Sequence, residues 1–182
     1  MNQEYRSGMF SGHEMERSHK LNKDPIMELS HVIGYQAEKC TQVKWARIEG
    51  ENVVVFSTGG SLIAMDADTN EQRRFFFGHS APISCFDVSR MGNLVASSQE
   101  GVRKKNDEDG KGKPALIRLW DYLTARCITM MIMPVIEMQT MTFSHDGRYL
   151  TCVGLDHHNK ELLIVWDVSR IQRGEKPEIV AK

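Results

Sequence analysis

From Ser30 onward the chain alternates short apolar runs with turn-forming residues. The runs read HVIGY (31–35), CTQVKWAR (40–47), NVVVFS (52–57), SLIAMDA (61–67), RRFFFGH (73–79), ISCFDVS (83–89), NLVASS (93–98), ALIRLWDY (115–122), CITMMIM (127–133), EMQTMTFS (137–144), YLTCVGL (149–155) and ELLIVWDV (161–168). Each has the length of a strand, and turn residues recur about every 8 to 12 positions, which predicts a nearly all-β chain. Residues 1–28 read differently. They hold few β-branched residues and no apolar period, and Asp24-Pro25 disfavours a helix there. A flexible N-terminal arm is expected, with residues 11–20 as its best, weak, helix candidate.

The strand runs repeat. ISCFDVSRMGNLVASS aligns with MQTMTFSHDGRYLTCV, so that Ser89-Arg90-Met91-Gly92 stands against Ser144-His145-Asp146-Gly147. Each copy then reaches an apolar strand ending in Trp-Asp, Trp120-Asp121 and Trp166-Asp167. The two Asp residues lie 46 positions apart, close to the ~40–45-residue period of propeller blades. A degenerate earlier copy, 40–69, has Met65-Asp66 where the Trp-Asp pair would stand. Three blades are expected, over about 40–79, 80–134 and 135–182, with a charged insertion at 101–114.

The residue types suit such blades. Ser-x-x-Gly makes a hairpin turn in which Gly supplies a positive φ. Trp fills the gap between stacked sheets, and the Asp after it can accept hydrogen bonds from amides of the next turn. Gly78-His79 opens the second copy. In such a blade His79 is a structural imidazole, bonded toward Ser97 or Ser98 and on toward Trp120. The competing role, a catalytic base, has no Asp or nucleophile at a motif spacing to support it.

Composition narrows the chemistry. The net charge of -1 gives no sign of a nucleic-acid partner. No apolar run approaches the ~20 residues of a membrane span, and the N-terminus lacks the apolar stretch of a signal peptide, so a cytoplasmic location is expected. The 4 cysteines, Cys40, Cys85, Cys127 and Cys152, are widely spread and read as free buried thiols. Asp156, His157, His158 and Glu161 share a turn; adjacent histidines on a tight turn point apart, so a solvated turn is expected there and no metal. In the run Phe75-Phe76-Phe77 one face must be core by alternation, and Met130, Met131 and Met133 read as adaptable packing. No phosphate loop, GxSxG or HExxH is present, and neither enzymatic activity nor a cofactor is expected.

With these residues in view, GHSAPISCFDVSRMGNLVASSQ and IRLWD resemble a WD40 repeat. The stretch from LSHVIGYQAEKC to RRFFFGH resembles the start of the propeller in echinoderm microtubule-associated protein-like proteins, where a hydrophobic segment with a "GY" step precedes a degenerate first blade. The charged excursion before the strand that ends in Trp120-Asp121, QEGVRKKNDEDGKGKPALIRLWD, is also similar, and cilia- and flagella-associated WD40 proteins share the layout. Met133-Pro134 departs from the pattern, since Gly-His is expected there.

The resemblance implies an incomplete WD40 β-propeller of about three blades. It implies a non-enzymatic scaffold of the microtubule cytoskeleton, ciliary or axonemal, with tubulin as the first protein partner to consider. Because propellers close with ~4–8 blades, the remaining blades are expected outside this chain. Arg103, Lys104, Lys105, Lys111 and Lys113 of the insertion would touch an acidic partner surface, or form a solvated loop. An adaptor for signalling or ubiquitin-ligase partners, or a fragment without its own activity, are the other readings.

Overall fold

The computed structural model describes residues 29–35, 42–91, 93–102 and 112–182. The chain divides into two compact units, Met1–His31 and Val32–Lys182. In the first, only residues 29–31 are described, and they form no helix or strand. The expected arm, its helix candidate at 11–20 and Cys40 lie outside the described residues, as do Gly92 and residues 103–111.

The second unit is all-β, as the patterning predicts. Its first sheet runs in order β1 (Val43–Ile48), β2 (Glu51–Thr58), β3 (Ser61–Asp66) and β4 (Gln72–Phe77). The second holds β5 (Ile83–Val88), β6 (Leu94–Gln99), β7 (Ala115–Asp121) and β8 (Cys127–Met133). The third holds β9 (Glu137–Phe143), β10 (Tyr149–Leu155), β11 (Glu161–Asp167) and β12 (Glu178–Ala181). Every pairing is antiparallel between strands adjacent in sequence. This is the four-stranded meander of a propeller blade, made three times over.

Two cores lie between the sheets. One joins Ala46, Val53, Val55, Leu62 and Phe76 of the first sheet to Phe86, Val95, Trp120 and Tyr122 of the second. The other joins Ile117, Leu119 and Met133 of the second to Met141, Leu150, Ile164 and Trp166 of the third. Period two explains both: odd and even positions of the middle sheet face opposite neighbours, so β5 and most of β6 are buried on both sides. Phe76 alone of its aromatic run is fully buried, while Phe75 and Phe77 stack on the opposite face. Met131 and Met133 enter a core and Met130 stays exposed. Cys85 and Cys152 are buried thiols outside any disulfide, whereas Cys127 is only half-buried.

Two segments differ from the strand reading. HVIGY is not a strand. Its Val32 amide donates to Gln72 Oε1 at 2.7 Å, and Gln72 Nε2 donates to the Val32 carbonyl at 2.8 Å. A side-chain amide thus satisfies the backbone groups that a neighbouring strand would otherwise bond. Conversely, β12 was not expected; four exposed residues after Pro177 are too few to show alternation.

Candidate functional site

Each sheet carries a turn held by a carboxylate. Asp121 Oδ1 accepts from the Thr124 amide and hydroxyl, both at 2.7 Å. Asp167 Oδ1 accepts from the Ser169 amide at 2.9 Å and hydroxyl at 2.6 Å. Asp66, in the sheet without a Trp, accepts from the amides of Asp68 and Thr69 at 2.9 and 3.0 Å and pairs with Arg73 at 2.8 Å. Hydrogen bonds from Thr69 and Asp68, aided by Arg73, hold the Asp66 carboxyl below its ordinary value; those from Ser169 do so for Asp167. The β9–β10 hairpin of the third sheet bends at Gly147, whose φ of 70° is the left-handed conformation that glycine adopts without strain.

The second sheet holds a polar chain that runs from the half-buried Gln99 and His79 to the buried Ser97 and Trp120. Trp120 Nε1 donates to Ser97 Oγ at 2.8 Å, and Ser97 lies 2.7 Å from His79 Nε2. His79 Nδ1 lies 3.0 Å from Gln99 Oε1. Since a carbonyl oxygen only accepts, Nδ1 carries the proton, and Nε2 accepts from the Ser97 hydroxyl. Gln99 Oε1 also takes the Ser80 amide at 3.0 Å. Burial first, and then the Arg118 charge, depress the His79 imidazole to about 4, against the opposing bond to Gln99. Gly78 makes the close approach feasible: a Cβ there would meet the Arg118 guanidinium at 3.1 Å and the Trp120 ring at 3.3 Å. The hydroxyl beside the imidazole, Ser97, is fully buried and already accepts from the Trp120 indole, so the neutral, bonded His79 fits a structural role.

The third sheet lacks this chain. By register, Pro134, Cys152 and Gly154 occupy the places of His79, Ser97 and Gln99. Trp166 remains buried, and its Nε1 finds no hydrogen-bond partner among the described residues. Burial pushes the Cys152 thiol up to about 12, with nearby Cys85 adding to the effect.

A second tie joins all three sheets at their first strands. Asp87 of β5 pairs with Lys44 of β1 at 3.0 Å and accepts from the Phe143 amide and Thr142 hydroxyl of β9 at 2.8 and 3.1 Å. Gln42 adds an acceptor for the Phe86 amide at 3.2 Å. The cleft beside Asp87 has a volume of about 330 Å³ and includes Arg90 and His145 on its rim. Sequence reasoning missed Asp87 and Gln99, because their partners lie far along the chain and no motif marks them.

The charged insertion leaves the second sheet after β6. Val102 and Lys113 exchange backbone hydrogen bonds at 2.8 Å and close its base, with the Lys113 side chain exposed. Arg103, Lys104, Lys105 and Lys111 lie outside the described residues. In the turn of the third sheet the His157 and His158 rings do not point apart as expected but lie 3.8 Å from each other, while Asp156 Oδ1 accepts from the amides of His158 and Lys160 at 2.7 and 2.9 Å. Among the described residues no group of three or more His, Cys, Asp or Glu is placed to hold a metal. No helix among them is long and apolar enough to cross a membrane.

Four-stranded antiparallel sheets stacked on a Trp-Asp strand, with an imidazole bonded through Ser to the Trp, define WD40-type blades. No family model matches the chain. The chain is similar to human WD repeat-containing protein 90, at 30% identity over 159 residues, which cover 87% of this chain and 8% of that protein. It is similar to centriole proteome protein 16 of Chlamydomonas reinhardtii, at 27% over 176 residues, covering 89% of this chain and 8% of that one. Cilia- and flagella-associated protein 52 of the same alga is 28% identical over 116 residues, 64% of this chain and 17% of that protein. The chain therefore has homologues among WD-repeat, centriolar and ciliary proteins, and it spans under a tenth of the length of the first two named.

Proposed function

We propose that this chain is a non-enzymatic binding platform of the microtubule cytoskeleton in cilia and centrioles, with tubulin as its partner. The observation that carries this reading is the likeness to a centriolar protein and to a cilia- and flagella-associated one, in a chain whose blades carry the WD40 ties. The insertion supplies a means of contact. It holds five basic residues, Arg103, Lys104, Lys105, Lys111 and Lys113, against the acidic Asp107, Glu108 and Asp109. Microtubule surfaces are acidic. A basic arm is drawn to them over a Debye length of ~8 Å at physiological salt, and over longer distances in dilute buffer. With the net charge at -1, steering must come from such a local patch.

The test is co-sedimentation with polymerised tubulin across a salt series. Neutralising the five basic residues together should weaken sedimentation, most at low salt. Unchanged binding would move the contact from the insertion to the blades. Absence of binding at every salt would favour the adaptor reading and exclude tubulin as partner.

A further inference from the structure

The last strands of the three sheets, each at a sheet edge, differ in how they guard that edge. β4 (QRRFFF) carries the charges of Arg73 and Arg74, and β12 (EIVA) has only 4 residues and begins with Glu178. β8 (CITMMIM) runs for 7 residues without a charge or a proline. It is hydrogen-bonded to β7 alone, in a register that is regular from Thr129 to Met133. Its other edge therefore presents backbone amides and carbonyls with no strand partner among the described residues. Charge, proline and shortness keep free edges from pairing with another chain, and β8 has none of them. A neighbouring blade stacks on the face of a sheet, so it leaves this edge of the middle sheet open.

β8 is also apolar on both faces. Met131 and Met133 are buried in the core toward the third sheet. Alternation asks for polar residues at 130 and 132. Met130 and Ile132 stand there instead, 57% and 64% exposed. Leu116, opposite Ile132, is half-buried and widens the strip, and Arg118 stands opposite Met130. The cations around the strip lack carboxylates. Arg118 is half-buried, and its Nε finds no hydrogen-bond partner among the described residues. Arg126, just before β8, and Lys113, beside its far end, are exposed. No ion pair among the described residues includes any of the three.

We propose that β8 is a docking edge for an extended segment of a partner polypeptide, which adds to the second sheet as a fifth strand. The free backbone groups call for a strand, since main-chain hydrogen bonds hold such an addition and alternate side chains select it. On the side of Met130 and Ile132 the segment carries apolar side chains, to which a flexible methionine adapts. At its ends it carries acidic residues, which answer the unpaired Arg126 and Lys113. The inference does not rest on tubulin as the partner.

The probe is a fluorescein-labelled peptide, Glu-Val-Thr-Val-Thr-Val-Glu with blocked ends, titrated with the full chain and followed by fluorescence anisotropy. Saturable binding is expected, and amides of β8 should exchange more slowly with solvent when the peptide is present. The same peptide with its backbone amides N-methylated keeps every side chain and should not bind. Met130→Lys with Ile132→Lys alters two exposed side chains, and circular dichroism should show the variant folded. It should lose binding, although it adds attraction to the glutamates of the peptide. A peptide with Lys in place of both Glu should bind more weakly, most at low salt. Absence of saturable binding, binding of the methylated peptide, or tighter binding by the double variant would each overturn strand addition. Equal binding of the Glu and Lys peptides would overturn the acidic ends of the occupant. Should the parent chain self-associate in sedimentation velocity and the double variant not, the edge belongs to a second copy and the proposal falls.

Discussion

The second and third sheets bury the same indole in two different ways. Trp120 is 2% exposed and Trp166 9%, and both follow an apolar strand and precede a turn-capping Asp. Around Trp120 the neighbours are polar and paired: Ser97, His79 and Gln99 in one chain. Around Trp166 the same three places hold Cys152, Pro134 and Gly154, and the indole N–H is unmet among the described residues. In the third sheet the polar set is absent as a whole, which leaves one orphaned donor where the second sheet has three bonded ones. A partly satisfied buried network costs more than an apolar site of the same shape, so the whole-set change is the one physics favours. What the two blades share, the packed Trp and the Asp turn, defines the blade; the imidazole chain is an addition to it.

The strongest way to break this comparison is to remove each indole. Trp120→Ala should cost about 3–5 kcal/mol, as large core truncations do, and it also removes the donor that Ser97 Oγ accepts from. Trp166→Ala removes a ring of the same size from a sheet with one covered face and no polar dependants, so its cost should be smaller. Urea unfolding of both variants gives the ranking. Equal costs would show that the polar chain contributes nothing.

Ser97→Ala is the next step down. It leaves the Trp120 N–H and His79 Nε2 buried without their shared hydroxyl, at roughly 1–3 kcal/mol. The urea midpoint should fall and the slope stay unchanged. A loss as large as that of Trp120→Ala would mean that the Ser does more than bridge.

The imidazole also makes the second sheet sensitive to acid. His79 titrates near 4 when folded, below its ordinary value of 6.5. Between those values the unfolded chain binds more protons than the folded one, so stability rises with pH there and is lost as pH falls from about 6.5 toward 4. The slope is at most about 1.4 kcal/mol per pH unit. Urea midpoints measured across that window should decline toward acid in the parent chain and decline less in His79→Gln. Parallel profiles would remove His79 from the account.

Much of this was legible in the residue types. Trp-Asp at a blade-length interval, Ser-x-x-Gly hairpins and Gly-His before a strand point to stacked four-stranded sheets, because each type answers a local need of the backbone or of the core. Which hydroxyl met His79 was not legible. The choice follows from register: Val95 lies opposite Trp120, so period two puts Ser97 and Gln99 on the indole's face and turns Ser98 toward Ser84 and Cys85. The tie at Asp87 was hidden for a similar reason, since Lys44, Asp87 and Thr142 meet only after three sheets have stacked. HVIGY misled because an apolar run says nothing of whether a strand or a core is available to it: Ile33 is 93% exposed.

The smallest effect is the most discriminating. Cys152 stands where Ser97 does in the neighbouring blade, so Cys152→Ser offers the Trp166 N–H an acceptor. A bond of that kind contributes about 1 kcal/mol net. The new hydroxyl proton, however, meets Pro134 and Gly154 where Ser97 has an imidazole, and an unmet hydroxyl in a core costs a similar amount. The two should nearly cancel, leaving stability within about 1 kcal/mol of the parent. The indole N–H resonance of Trp166 should nonetheless move downfield and exchange more slowly with solvent, as a newly bonded donor does, while that of Trp120 stays put. If stability rises well beyond that margin, the polar chain can be built one residue at a time, and its replacement as a set in the third sheet needs another cause. If the Trp166 resonance is unmoved, Cys152 does not occupy the Ser97 position in solution, and the register that aligns the two blades is wrong there.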